Sequence, residues 1–398
     1  MEHTTQLRQI ADRLGLEEYP PELETIFEAQ RGNAAPACDL ALIDRLQEKY
    51  DLFGEFYDLV KQSALGINAD PELNAYVCAA IQFNKNCDRM TSLQLPAPEM
   101  SGRPEMDFMM LHITIPRIEA SFQEMDRRGF SWEEQADARE AYKRAIRIVQ
   151  QQTDYPGINK GYFSWLGMYC RVGVFKTGGF WFEIKRLYAR ALWIRNRQTG
   201  QLVPLIRGCF YRDGSMMLGA RNFEDPEGAF NAEFSEDTEN FYGHACLDNV
   251  VSRESAVYPK TRWACAGRPG EYCLSIHVPP NTNISREATL QACRTGMQLM
   301  RERFPEYDMT KVVFCASWLL NPKLKQILDG QSRIVQFGDC FVKYPIQDPG
   351  ESVLGFVFGR VPEHLEDLPE DTSLRRKLKK LYLEGDRIHT FSGALYID

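Results

Sequence analysis

The sequence lacks the short motifs that mark several large enzyme classes. It has no Walker P-loop, no glycine-rich dinucleotide fingerprint and no G-x-S-x-G, so nothing points positively to an NTPase, a dinucleotide-dependent enzyme or a serine hydrolase. The six histidines are scattered, with neither H-E-x-x-H nor Cys/His ligand spacing, and we therefore predict no bound metal. These absences leave several enzyme classes and a metal site without support, but they do not indicate a particular function.

The sequence also lacks an excess of basic residues and long apolar runs. The net charge of -8 argues against a protein that binds nucleic acid or an anionic membrane surface. No apolar run approaches the length of a membrane span, and the N-terminus has no secretory signal, so we expect a cytoplasmic protein. The eleven cysteines are dispersed and form no C-x-x-C pair, which is typical of reduced thiols rather than of a disulfide framework.

The pattern of the chain changes near its middle. Residues 1–155 show helical periodicity interrupted by proline and glycine breaks, with one stretch, residues 108–116, ambiguous between helix and strand. Helix formers then give way to aromatic, glycine and β-branched residues at 155–157. We therefore predict a helical domain over residues 1–155 and a second domain over residues 156–398.

The second half predicts a mixed sheet. Residues 172–176 and 180–184 indicate a hairpin, and residues 189–195 and 202–207 a second pair. An apolar strand at 272–278, an amphipathic helix entered through Asn281–Ser285, and a strand at 311–316 predict a strand-helix-strand crossover. We expect two more strands at 333–344 and 353–358, a basic helix capped by Thr372, and a last edge strand at 389–397; this order is that of an α+β protein.

Four segments carry a resemblance to a known family. LSIHVPP at 274–280, FCASWLLNP at 314–322, FVFGR at 356–360 and LPEDTSL at 368–374 resemble a bacterial family of two-domain acyltransferases. In that family a helical N-acyltransferase-type N-terminal domain precedes a GNAT-like C-terminal domain. The resemblance implies an acyl-CoA-dependent N-acyltransferase, with acetyl-CoA or another acyl-CoA as co-substrate and a small-molecule or peptide amine as acceptor.

An acyl transfer to an amine needs a group that takes a proton from the ammonium and donors that stabilise the thioester oxyanion. Glu183 is our preferred base, because it ends an aromatic strand where poor solvation would raise the pKa of a carboxylate. His277 is the second candidate and His244 the third, although a histidine bonded within the sheet is at least as common. Ser317 at a strand end is a possible nucleophile or donor, but a capping role ranks higher.

The co-substrate site is expected at the crossover. The resemblance places coenzyme A along Val278, Asn281, Asn283, Ser285 and Arg286, with Trp318 at the end of the neighbouring strand; a helix N-terminus offers unpaired N–H groups to its pyrophosphate. The loop departs from the glycine-rich phosphate loop of GNAT enzymes, because Pro279 and Pro280 remove two N–H donors. Two alternatives remain open: a catalytically inactive ligand-binding or sensing protein, and an acyl-thioester hydrolase.

Overall fold

A computed structural model describes residues 6–16, 18–30, 35–86, 89–220, 226–359 and 361–398. The chain divides into two compact units, residues 1–175 and residues 176–398. The change of composition at 155–157 precedes this division by one helix. Across the described ranges, none of the helices has both the length and the apolar character needed to span a bilayer.

The first unit is built from helices. Asp39 caps the third of them by accepting a hydrogen bond from the Leu42 N–H. The stretch that the sequence left ambiguous, residues 108–116, forms the start of a long helix over Met109–Arg127, which contains Pro116 and buries most of its first two turns. The helices are α1 (Gln6–Arg13), α2 (Pro21–Ala29), α3 (Leu40–Tyr50), α4 (Tyr57–Ala69), α5 (Pro71–Asn86), α6 (Arg89–Ser92), α7 (Pro104–Asp107), α8 (Met109–Arg127), α9 (Ala136–Thr153) and α10 (Lys160–Cys170).

The second unit contains the sheets predicted from the sequence. The strands are β1 (Val174–Thr177), which crosses the division, β2 (Phe180–Arg186), β3 (Ala191–Asn196), β4 (Leu202–Ile206), β5 (Gly208–Phe210), β6 (Phe230–Ala232), β7 (Phe234–Glu236), β8 (Asn240–Leu247), β9 (Val250–Val251), β10 (Ala256–Pro259), β11 (Trp263–Gly267), β12 (Tyr272–His277), β13 (Met309–Ser317), β14 (Val342–Pro345) and β15 (Phe391–Tyr396). The helices are α11 (Arg286–Arg303), α12 (Leu324–Ile327), α13 (Arg333–Gly338) and α14 (Ser373–Leu383).

The strands form two larger sheets. The first has the order β1-β2-β12-β13-β15-β14, and its central pair, β12 and β13, is parallel because helix α11 connects them as a crossover. The second has the order β10-β8-β4-β3-β11. Residues of both sheets, including Trp193, Ile206, Phe314 and Tyr344, share one buried core. The fold is the mixed-sheet α+β arrangement that we predicted.

Three details of the sequence prediction are wrong. The apolar run predicted as a strand at 353–358 forms a π-helical turn over Leu354–Phe358, closed by Gly359 at φ 85°. The segment predicted as one strand at 333–344 is split between α13 and β14. The last strand, β15, is also not an edge strand, because β13 and β14 flank it on both sides. Short apolar runs do not distinguish strand from helix, and pairing order is a property of the tertiary fold.

Candidate functional site

The two parallel strands at the centre of the first sheet separate at their carboxyl ends. β12 and β13 pair up to Ser275 and Phe314. Beyond that point β12 continues along β2, with His277 opposite Trp181, whereas β13 continues along β15, with Ser317 opposite Phe391. The last residues of both strands therefore leave a gap in the middle of the sheet.

A buried carboxylate and a histidine meet beside this gap. His277 Nε2 lies 3.0 Å from Glu183 Oε2. The Glu183 side chain is only 7% exposed, whereas that of His277 is 34% exposed. A carboxylate is rarely buried without a partner, and this one has an imidazole within hydrogen-bonding distance. The imidazole is thus the member of the pair that a substrate can reach.

The register of β2 and β12 brings the pair together. Glu183 stands opposite Ser275 and His277 opposite Trp181, so all four side chains emerge from one face of the sheet. Phe182, between them, points to the other face and fills the space beside Gly296 of α11, where an added Cβ would lie 3.2 Å from its ring. Packing of this phenylalanine fixes the face on which Glu183 emerges.

The loop that joins β12 to α11 uses several of its own donors. Ser285 caps the helix by accepting a hydrogen bond from the Ala288 N–H, and the Ser285 N–H itself donates to Asn283 Oδ1. Asn281 adopts a left-handed conformation with φ 62°. The Arg286 side chain reaches the carbonyl of Asp339 at 3.5 Å. The loop is thus turned by its own side chains as it enters the helix.

The remaining sequence candidates lie elsewhere or have structural partners. His244 belongs to β8 of the second sheet, and its Nδ1 lies 3.1 Å from the Ser252 carbonyl oxygen. Ser317 Oγ accepts a hydrogen bond from the Leu319 N–H, which is the capping role that ranked first. Trp318 packs against the core formed around Leu378. Val278 follows β12 directly. Within the described ranges, no three metal-ligating side chains come together.

The sequence did not single out a group of side chains on the face that carries Glu183. Lys185 is two residues further along β2, and its Nζ lies 2.7 Å from the Tyr188 hydroxyl and 4.0 Å from the centre of that ring. Tyr188 in turn packs edge-on against Phe314, with 5.3 Å between the ring centres. The two-residue period of a strand predicts that Lys185 and Glu183 emerge from the same face of β2. The position of Tyr188 could not be predicted in this way, because it depends on the loop after the strand.

Comparisons with known proteins agree with this architecture. Residues 216–395 match the family model described as a GNAT-like C-terminal domain. No curated protein matches the sequence. Similar solved structures include a mutant acyltransferase in complex with octanoyl-CoA, with a TM-score of 0.66 and 15% identity, which covers 99% of this chain and 100% of the other. An acyltransferase in complex with CoA and 10C-teicoplanin has a TM-score of 0.65, with the same identity and the same coverage.

Proposed function

We propose that this chain is an acyltransferase that moves an acyl group from an acyl-CoA thioester to an amine. The observation that carries the proposal is the Glu183–His277 pair beside the gap between β12 and β13. The GNAT-like match and the likeness to acyltransferases with CoA and acyl-CoA support the same reaction class. The resemblance to GNAT enzymes also implies a pair of separating strands that holds the pantetheine chain of coenzyme A.

In the proposed reaction His277 takes the proton and Glu183 holds the imidazole in place. When the Nε2 hydrogen is donated to Glu183, the lone pair on Nδ1 is the basic position of the ring. The amine nitrogen attacks the thioester carbonyl, its proton passes to the imidazole, and the C–S bond breaks to release CoA as the thiolate. The buried carboxylate stabilises the imidazolium that forms, as in other carboxylate–histidine pairs. The sequence preferred Glu183 as the base, but its burial favours the positioning role.

The helix that follows β12 suits the phosphates of the co-substrate. Ser285 N–H and Ala288 N–H already donate within the loop and the cap, which leaves the Arg286 and Glu287 N–H groups of the first turn without an acceptor among the described residues. The Arg286 guanidinium is exposed at the same end of the helix. The proposed pyrophosphate would therefore depend on two backbone donors and on the Arg286 side chain.

A release assay for free CoA tests the reaction. Acyl-CoA thioesters from acetyl to decanoyl are each incubated with a mixture of amines, and acylated products are identified by mass spectrometry. We expect CoA release that requires an amine, and a fall in kcat/KM of about 10²–10⁴-fold in His277→Asn, which is the range for loss of a general base. His244→Asn is the matched control, because that histidine is bonded within the second sheet.

Other outcomes of the assay would contradict the proposal. CoA release at an equal rate without any amine would identify a thioester hydrolase. Full activity of His277→Asn would remove the pair from the mechanism. Calorimetry with CoA examines the co-substrate site separately: Arg286→Ala should weaken binding by about ten-fold, as expected for one charge-assisted hydrogen bond. Arg294→Ala, two turns further along the same exposed side of α11, should leave the affinity unchanged.

A further inference from the structure

A cavity opens on the face of the first sheet that carries Glu183 and His277. Its volume is about 340 Å³, which is within the usual range for a small-molecule site. It lies between the loop after β2 and the strands β14 and β15. The walls are formed by Tyr188, Ala189, Arg190, Tyr344, Ile346, Gln347 and Ser392. Two tyrosine rings and an isoleucine make most of this wall apolar.

A short path of neighbouring residues connects the cavity wall to the candidate catalytic pair. Tyr188 packs on Phe314, which stands beside Ser275, and Ser275 stands opposite Glu183. On the other side, Ser392 of the cavity wall is paired with Ala316, in the part of β13 that has separated from β12. The cavity therefore lies on the same face of the sheet as the gap and one strand away from it.

Arg190 lines this cavity and Lys185 lies beside it against Tyr188, and neither has an acidic partner among the described residues. Arg190 donates to Met217 Sδ at 2.9 Å, and thioether sulfur is a weak acceptor. Lys185 contacts the hydroxyl and the ring of Tyr188. Among the residues that the structure describes, neither side chain forms an ion pair, and the cavity wall contains no aspartate or glutamate. Arg268 and Lys260 of the same unit, by contrast, both form an ion pair with Glu236.

We propose that the cavity binds the acceptor, and that the acceptor is an amino carboxylate with an apolar group, such as a hydrophobic amino acid. The inference rests on the proposed acyl transfer and names the class of its second substrate. The planar guanidinium of Arg190 matches a carboxylate in charge and in geometry, while the tyrosine rings accept the apolar group. A hydrocarbon acyl chain fits the site less well, because it would desolvate the guanidinium without replacing its hydrogen bonds.

The test compares acceptors that differ only in the carboxylate. Phenylalanine, phenylalaninamide and phenethylamine are offered with the acyl-CoA that the protein uses best, and kcat/KM is measured from CoA release. We expect phenylalanine to be preferred over its amide, and Arg190→Gln to reduce this preference by about ten-fold, the usual effect of losing one charge-assisted bond. Arg212→Gln is the control, because Arg212 is exposed and lies 3.7 Å from Glu227 rather than in the cavity wall.

A second measurement does not require turnover. Equilibrium dialysis of labelled phenylalanine against the full chain should show binding that phenylalaninamide does not compete for and that Arg190→Gln weakens by about ten-fold. This separates the two proposals: binding without any acyl transfer would contradict the proposed function alone. Equal use of acid and amide by the wild type, or a changed preference for acyl chain length in Arg190→Gln, would overturn the acceptor assignment. Unchanged circular dichroism of the variant excludes misfolding as the cause.

Discussion

His112 makes the stability of the first unit depend on pH in a defined direction. The side chain lies on α8 and is 2% exposed. Its Nε2 is 2.6 Å from Ser63 Oγ, and the Ser63 hydroxyl donates its one hydrogen to the Val60 carbonyl at 2.8 Å. Nε2 must then carry a hydrogen, and Nδ1 has no partner among the described residues. Burial lowers the pKa of His112 from 6.5 to about 3, because a charged ring would lose its hydration.

The magnitude follows from the difference between the two states. In the unfolded chain His112 titrates near its usual pKa of 6.5, whereas in the folded unit it stays neutral until the pH approaches about 3. Between these values the unfolded state binds more protons, so the stability is fully present above pH 6.5 and is lost as the pH falls. At pH 5 the histidine alone should reduce the free energy of unfolding by about 2 kcal/mol, since each pH unit below 6.5 contributes about 1.4 kcal/mol.

The assay isolates this contribution by comparison with a side chain that does not titrate. Urea unfolding of the wild type and of His112→Gln is measured at pH 8 and pH 5, with hydrogen exchange of the α8 amides to follow the first unit alone. Between pH 8 and pH 5 we expect the wild type to lose about 2 kcal/mol more of its free energy of unfolding than His112→Gln loses. His364→Gln, an exposed control, should follow the wild type. Parallel pH profiles for the wild type and His112→Gln would refute the reasoning.

Two further predictions concern the second unit. Gly178 lies at φ +57°, and an added Cβ would lie 2.7 Å from that of Ala292, so Gly178→Ala should lower the free energy of unfolding by about 2 kcal/mol. Gly330→Ala, which meets no atom within 4 Å, is the control, and equal urea midpoints would contradict the prediction. Burial raises the pKa of Cys273 and of Cys315 to about 12, so Ellman's reagent should modify them only after unfolding. Rapid modification of either thiol in the folded protein would contradict this expectation.

Local chemistry predicted the central crossover well. The apolar strand, the entry to the helix at Ser285 and the amphipathic character of the helix each depend on neighbours in sequence. The structure has all three, with Cys293 and Met297 on the buried side of α11. Glu183 and His277 were selected separately, one from its aromatic surroundings and one from its place at a strand end. Their contact could not be predicted, because a shift of β2 by one residue would move Glu183 to the opposite face.

The cavity lies beyond what the sequence could predict. Arg190 and Tyr344 are separated by most of the second unit, and they meet only because β14 joins the sheet next to β15. Nothing local marks Arg190 as a cation without an acidic partner, since acidic side chains are frequent along the chain. Whether an acidic side chain lies near Arg190 is decided by the tertiary fold. A single sequence therefore gives no signal for it.

The cation of the proposed acceptor site and the carboxylate of the candidate catalytic pair come from one short segment. Glu183 lies on β2, and Arg190 lies in the loop that leaves the same strand. An amino carboxylate also carries two opposite charges, so in the proposed complex its carboxylate binds Arg190 while its amino group points towards the side of the Glu183–His277 pair. This arrangement would orient the acceptor before any proton moves. Because orientation is a large part of the barrier to a two-substrate reaction, β2 and its loop would contribute to catalysis by positioning as well as by proton transfer.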